Sequence, residues 1–227
     1  MQVHFNILTL FPEMFPGTLG AGVVGRALGS AWSYNAVNLR SFSENSYGSV
    51  DDAAFGGMDG QVMQAPPLAR AIDSLDPGKI ICFSPRGKLW SQKMARQCAC
   101  QRNFTLICGR YEGIDQRLID EYDIEEISIG DYIISGGELA AQVFIDSVVR
   151  LCDNVLHGGA RATDNESFEI GGLEWPLYTR PHEWRGRKVP EVLVSGHHGN
   201  IERWRKEQSD AITEKRRPDL IKGNKNG

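Results

Sequence analysis

The chain opens on a short, dense apolar run. VHFNILTL (3–10) ends just before Pro12, which is the pattern of a buried strand. Residues 13–28 space their apolar positions as a helix does, although four glycines interrupt them. WSYNAVNL (32–39) predicts a second strand. Residues 41–64 are rich in Ser, Gly, Asp and Asn and read as a long loop; a loop of that length inside a compact domain is usually functional. PLARAIDSL (67–75) returns to helical spacing.

A regular alternation follows. KIICFSP (79–85), FTLICGR (104–110) and EEISIGD (125–131) read as strands. Between and after them, 91–101, 114–122 and 137–152 read as helices. Strands alternating with helices predict an α/β domain whose parallel sheet is covered on both faces. The three strands run into glycine-bearing loops, SPRGK, GRYEG and SIGDYIISGG. Ligands of open α/β sheets bind at the carboxyl ends of strands, so these loops form the leading candidate site. Residues 153–175 lose periodicity and read as a linker. After the two prolines of PLYTRP (176–181), the chain reads as short helices, the longest starting near Ser195 or Gly196.

Composition narrows the class. The chain has 227 residues, 41% hydrophobic and 24% charged, which excludes a disordered chain, a collagen and a coiled-coil rod. No apolar run approaches the ~18 residues of a membrane span, and MQVHFNILTLF lacks the features of a signal peptide. The net charge of −4 is unevenly spread. Residues 1–175 carry 13 basic against 22 acidic residues, and residues 176–227 carry 12 against 7. An acidic body of −9 with a basic tail of +5 fits two modules, the second suited to an acidic partner, although a solvated helical end would look the same.

Five cysteines without a CxxC fit reduced thiols in a cytoplasmic protein. Neither His nor Cys falls at zinc spacing, so no structural metal site is expected. Gly20-Ala21-Gly22-Val23-Val24-Gly25 matches the GxGxxG of dinucleotide sites, with Glu44 at about the distance of a ribose contact. That motif works directly after a strand; here nine residues intervene, so a glycine-permitted bend is the expected role.

TLFPEMF (9–15), GRYEGID (109–115), SIGDYIISGGEL (128–139), PLYTRP (176–181) and VPEVLVSGHH (189–198) occur in one order over nearly the whole chain. Together they resemble the bacterial tRNA (guanine-N1)-methyltransferase family of the SPOUT superfamily. VDDAAFGG (50–57) is a looser match. The resemblance implies a deep trefoil knot in the α/β domain, where pattern alone would give an unknotted sheet. It further implies a small helical C-terminal domain and a homodimer whose active sites are shared between subunits. It implies methylation by S-adenosyl-L-methionine of N1 of the tRNA guanosine directly 3′ of the anticodon, which maintains reading frame. Magnesium is a possible further cofactor. The expected organisation is a donor-binding domain over 1–160, a linker carrying the catalytic acid over 161–175 and a tRNA-binding domain over 176–227.

Methylating guanine N1 requires a base for the N1 proton and a cation for charge growing on O6. The region supplies Arg150, Arg161, Asp164, Glu166 and Glu169. By resemblance the base is Glu166, which stands where the family has aspartate before a Ser-Phe pair; Asp164 is the alternative. Arg150 matches the arginine facing O6. The donor pocket is expected from Phe83, Ser84 and Pro85, then Gly109, Tyr111, Glu112 and Gly113, then Ile129, Gly130, Asp131, Tyr132, Ile133, Ile134, Gly136 and Gly137. Glycines there let backbone approach a ligand, the apolar residues form walls, and Glu112 can face the donor's positive charge. Asp51, Glu174, Arg180, Arg185 and Arg205 are expected to meet the tRNA. The chain departs from the family pattern at AAFGGMDGQ (53–61) and at Ala140, where proline is usual. Two other readings remain open: an RNA-binding protein with an inactive pocket, and an NAD(P)-dependent oxidoreductase using Gly20–Gly25.

Overall fold

The computed structural model describes residues 2–57, 59–158 and 162–223. The chain divides into two compact units, Met1–Gly159 and Ala160–Gly227. Arg161 lies outside the described residues.

The first unit is built on strand β1 (Val3–Thr9), helix α1 (Gly22–Arg26), β2 (Trp32–Asn38), β3 (Asp51–Ala53), β4 (Gln61–Met63) and α2 (Ala65–Asp73). It continues with β5 (Lys79–Leu89), α3 (Gln92–Cys98), β6 (Asn103–Ile107), α4 (Gln116–Glu121), β7 (Glu125–Ser128) and α5 (Glu138–Val149). Five strands form one sheet in the order β2-β1-β6-β5-β7. Every pairing in it is parallel. The α/β expectation holds, because apolar runs without strict alternation need cover on both faces. On one face Phe5, Ile7, Phe104 and Leu106 pack with Ala141, Phe144, Ile145 and Val148 of α5. On the other, Leu8, Ile80 and Ile107 pack with Leu68 and Ile72 of α2 and Leu118 of α4.

The long helix expected over 13–28 does not form. Two 3-10 turns, Pro12–Met14 and Gly17–Gly20, precede the five-residue α1. Pro12 and Pro16 cannot donate to a helical ladder, and Gly17 and Gly22 take left-handed φ of +54° and +64°. Gly25 serves packing, since a Cβ there would lie 2.3 Å from the Gly20 carbonyl. Glu44 is occupied by Arg70 at 2.6 Å. Neither arrangement suits a dinucleotide, since the glycines do not follow a strand directly.

The loop expected over 41–64 contains the β3–β4 hairpin. β5 runs past the expected 79–85, but both Phe83 and Lys88 face Ile127 of β7. Residues 84–87 therefore bulge out of register, so the loop expected at SPRGK persists inside a longer strand.

The second unit has turns without helix or strand over residues 162–182. A two-residue hairpin follows, β8 (Glu183–Trp184) with β9 (Arg187–Lys188), then α6 (Glu191–Val194), α7 (His198–Arg216) and α8 (Pro218–Gly223). No described helix is long and apolar enough to cross a membrane.

Candidate active site

The bulge of β5 and the carboxyl ends of β6 and β7 open into a cavity of about 350 Å³, within the range of small-molecule sites. Three segments wall it: Phe83, Ser84 and Pro85 from the β5 bulge; Gly109 to Gly113 after β6; and Ile129 to Gly137 after β7. Fourteen of the fifteen expected pocket residues line it. The exception is Asp131, which lies in the third loop with its side chain exposed and off the cavity wall. Aspartate at a turn tip is well solvated, and its neighbours Tyr132 and Ile133 supply the wall.

Local backbone chemistry explains the loop shapes. Tyr111 adopts φ +58°, an uncommon left-handed conformation for a bulky residue. It is held by the β3–β4 hairpin: Glu112 N–H donates to the Gln61 carbonyl and Met63 N–H to the Gly113 carbonyl, each at 2.9 Å. Asp51 of that hairpin lies close enough to the Tyr111 phenol to act on its proton. Partial burial and then Asp51 push the Tyr111 phenol above its ordinary 10.0. Asp51 thus reaches the cavity rim through Tyr111. The third loop is tied to the second where Gly137 N–H donates to the Gly109 carbonyl at 2.9 Å. A Cβ on Gly137 would lie 2.7 Å from Cys108 Cα, so the close approach requires glycine.

A buried ion pair braces these loops, and the sequence reading missed it. Glu138, at the start of α5, is 1% exposed. Its Oε2 lies 2.8 Å from Arg110 Nη2, and its Oε1 accepts from Arg110 Nε at 3.3 Å and from the Thr9 hydroxyl at 2.7 Å. Arg110 also donates to the Ser135 carbonyl at 3.0 Å and stacks 4.5 Å from the Phe11 ring centroid. One guanidinium thereby joins β1, the second loop and the third loop. A glutamate in the first turn of a helix is commonplace, so no pattern signalled its burial. Arg86 and Glu126 also line the cavity and pair at 3.1 Å.

The cavity therefore offers apolar walls, backbone polar groups and both signs of charge. That set fits a zwitterionic ligand with a flat heteroaromatic part better than a purely anionic one. Comparison with known proteins decides the lineage. The family model for tRNA (guanine-1)-methyltransferase TrmD matches residues 3–223. A tRNA (guanine-N(1)-)-methyltransferase of Rhodospirillum rubrum is 51% identical over 97% of this chain and 93% of its own length. Those of Anaplasma marginale and Cereibacter sphaeroides are 50% and 49% identical, covering 96% and 95% of this chain and 94% and 90% of their own.

The chain belongs to the tRNA (guanine-1)-methyltransferase family.

The remaining residues matched to the family lie in different places. Arg150 caps the carboxyl end of α5, with its N–H donating to the Asp146 carbonyl at 3.1 Å. In the second unit, Glu166 is half-buried in a turn, its N–H donating to the Thr163 carbonyl and its carbonyl accepting from Glu169 N–H. Asp164 is exposed two residues earlier. Glu174 N–H donates to the Ser167 hydroxyl at 3.0 Å. Arg180 and Arg185 are exposed, and the Arg185 guanidinium covers the Trp184 ring at 4.8 Å. Arg205, on α7, covers Trp175 at 5.0 Å. Ala140, where the family favours proline, lines the cavity in the first turn of α5, and the helix starts normally at Glu138 without it.

Proposed function

We propose that this chain transfers a methyl group from S-adenosyl-L-methionine to N1 of the tRNA guanosine directly 3′ of the anticodon. The family match over residues 3–223 carries this reading. The cavity supports the choice of donor: Glu112 is a carboxylate for a positive centre, and Phe83, Ile129, Ile133 and Ile134 are apolar walls. When bound, the donor supplies a methyl group on a positively charged sulfur.

The chain's own residues do the rest. Glu166 accepts the N1 proton, so that the ring nitrogen's pair is free to form the new bond. Asp164 is the second candidate for that role. Arg150 donates hydrogen bonds to O6, where negative charge accumulates as the proton leaves. The pairing edge carries N1, so the target base must leave any stack before it reacts. Asp51 and Glu174 contact the target nucleotide region. Arg180, Arg185 and Arg205 contact phosphates, which position the RNA without reading its sequence.

The same reading includes a trefoil knot through the loops after β6 and β7, with Gly137 drawn against Cys108 and Gly109 as its tight crossing. It includes a helical tRNA-binding domain in the second unit and a homodimer with shared active sites. The neighbouring apolar residues Leu139 and Val143, exposed one turn apart on α5, suit such an interface. We assign the protein to the cytoplasm because its substrate is tRNA. Among the described residues no cluster of three or more His, Cys, Asp or Glu suits an ion.

Calorimetry tests the donor. Adenosylmethionine or its demethylated product binds and NAD does not; the reverse result sinks the proposal. Glu166→Gln keeps donor binding and loses most methylation of a tRNA transcript. Full activity in that variant moves the base to Asp164.

A further inference from the structure

We propose that Ser209 and Thr213 of α7 are positioning residues that fix the acid-bearing loop 166–174 on the basic helix. The inference rests on the reading of Glu166 as the base and adds what holds it.

α7 is a polar, 19-residue helix whose two buried residues are Ser209 and Thr213, 8% and 3% exposed. A surface helix normally buries an apolar stripe. Here the buried positions, four apart on one face, are both hydroxyls. Each has a partner on the loop. Ser209 Oγ donates to the Leu173 carbonyl at 2.6 Å, and Thr213 Oγ1 accepts from Leu173 N–H at 2.9 Å. The Thr213 hydroxyl hydrogen goes to the Ser209 carbonyl at 2.7 Å, which leaves its oxygen free to accept. Both backbone groups of one loop residue are therefore satisfied by one helix face, as a neighbouring strand would satisfy them.

The loop is shaped for that clasp. A Cβ on Gly172 would sit 2.9 Å from Thr213 Oγ1, so glycine permits the approach. Phe168 N–H donates to the Gly172 carbonyl at 2.7 Å, and Ile170 N–H to the Glu166 carbonyl at 3.3 Å. Glu174 N–H closes the far side on Ser167. Phe168 takes φ +73°, a conformation a bulky residue keeps only where its surroundings impose it. The Arg217 guanidinium, 5.7 Å from its ring centroid, adds a second hold. Glu166 thus belongs to a closed hydrogen-bonded loop anchored at Leu173. The anchoring helix also carries Arg203, Arg205, Lys206, Lys215 and Arg216. RNA engaging that helix engages the base's support.

The test compares Thr213→Val, Ser209→Ala, Thr213→Ser and Glu166→Gln in the full-length enzyme. Amide hydrogen exchange at Leu173, donor affinity, and the single-turnover methylation rate across pH are read for each. Thr213→Val should speed Leu173 exchange and slow methylation by about 10- to 100-fold, with donor affinity, helix content and the shape of the pH profile unchanged. Thr213→Ser should restore both exchange protection and rate. Faster exchange with an unchanged rate overturns the positioning role, and unchanged exchange overturns the clasp itself. Full activity of Glu166→Gln instead refutes the reading of the base, an outcome distinguishable because the Leu173 exchange reports on the clasp independently.

Discussion

Removing the Arg110 guanidinium should destabilise the first unit through the charge it leaves behind. Glu138 is 1% exposed and the Arg110 side chain 18%. Arg110→Met keeps the bulk of the side chain and abolishes two contacts, at 2.8 and 3.3 Å. Breaking a buried pair on one side typically costs about 3–5 kcal/mol. The Thr9 hydroxyl at 2.7 Å still serves Glu138, so the lower end, about 3 kcal/mol, is expected. Arg110→Met combined with Glu138→Gln should cost only about 1–2 kcal/mol, because a neutral amide keeps a partner in Thr9 and no unpaired charge remains. The assay is urea unfolding of the wild type, both single variants and the double variant. A coupling of about 2 kcal/mol or more is expected, and a coupling within ~0.5 kcal/mol of zero refutes the reasoning. The function should follow. Arg110 holds the Ser135 carbonyl and lies over Gly136, where a Cβ would meet its Nε. Losing it should weaken donor binding about tenfold, or ~1.4 kcal/mol.

Three further outcomes are expected. Gly137→Ala forces a Cβ to within 2.7 Å of Cys108 Cα; it should cost about 1–3 kcal/mol in thermal or urea unfolding and weaken donor binding, and wild-type behaviour contradicts the close approach. Burial first, then Glu126, pushes the Cys82 thiol from 9.0 up to about 12. The native state then keeps a proton that the unfolded chain releases above pH 9. Its stabilisation is complete below that pH and falls as pH rises toward 12, by at most about 1.36 kcal/mol per pH unit. Cys82→Ala should flatten that fall, and maleimide should label exposed Cys100 long before Cys82; rapid labelling of Cys82 contradicts its burial. Donor binding measured by calorimetry in EDTA should match that in magnesium; a loss of affinity in EDTA would place an ion in the cavity.

The sheet was legible because β1, β6 and the first half of β5 are apolar runs bounded by breakers. The three-loop site was legible because glycines cluster after those strands. What the pattern hid arises from partners distant in sequence. The β3–β4 hairpin carries weak strand signals of its own, and its register depends on Gln61 and Met63 bonding to Glu112, Gly113 and Asp115. The apolar spacing over 13–28 mimicked a helix because Phe15, Leu19 and Val24 are buried, but prolines and left-handed glycines break the ladder. Arg110 and Glu138 are 28 residues apart and look like ordinary surface charges until the fold joins them. Residues 153–175 read as a linker because the partners that hold its Leu173, Ser209 and Thr213, lie 36 to 40 residues on.

The most direct test of the account is single-turnover methylation of an unmodified tRNA transcript with labelled adenosylmethionine, mapped by primer extension. The account predicts one methyl group per tRNA and a block at the guanosine directly 3′ of the anticodon. It also predicts loss of labelling when that guanosine is replaced by adenosine. Methyl transfer at another position or atom, or none from a protein that binds both donor and tRNA, would contradict it.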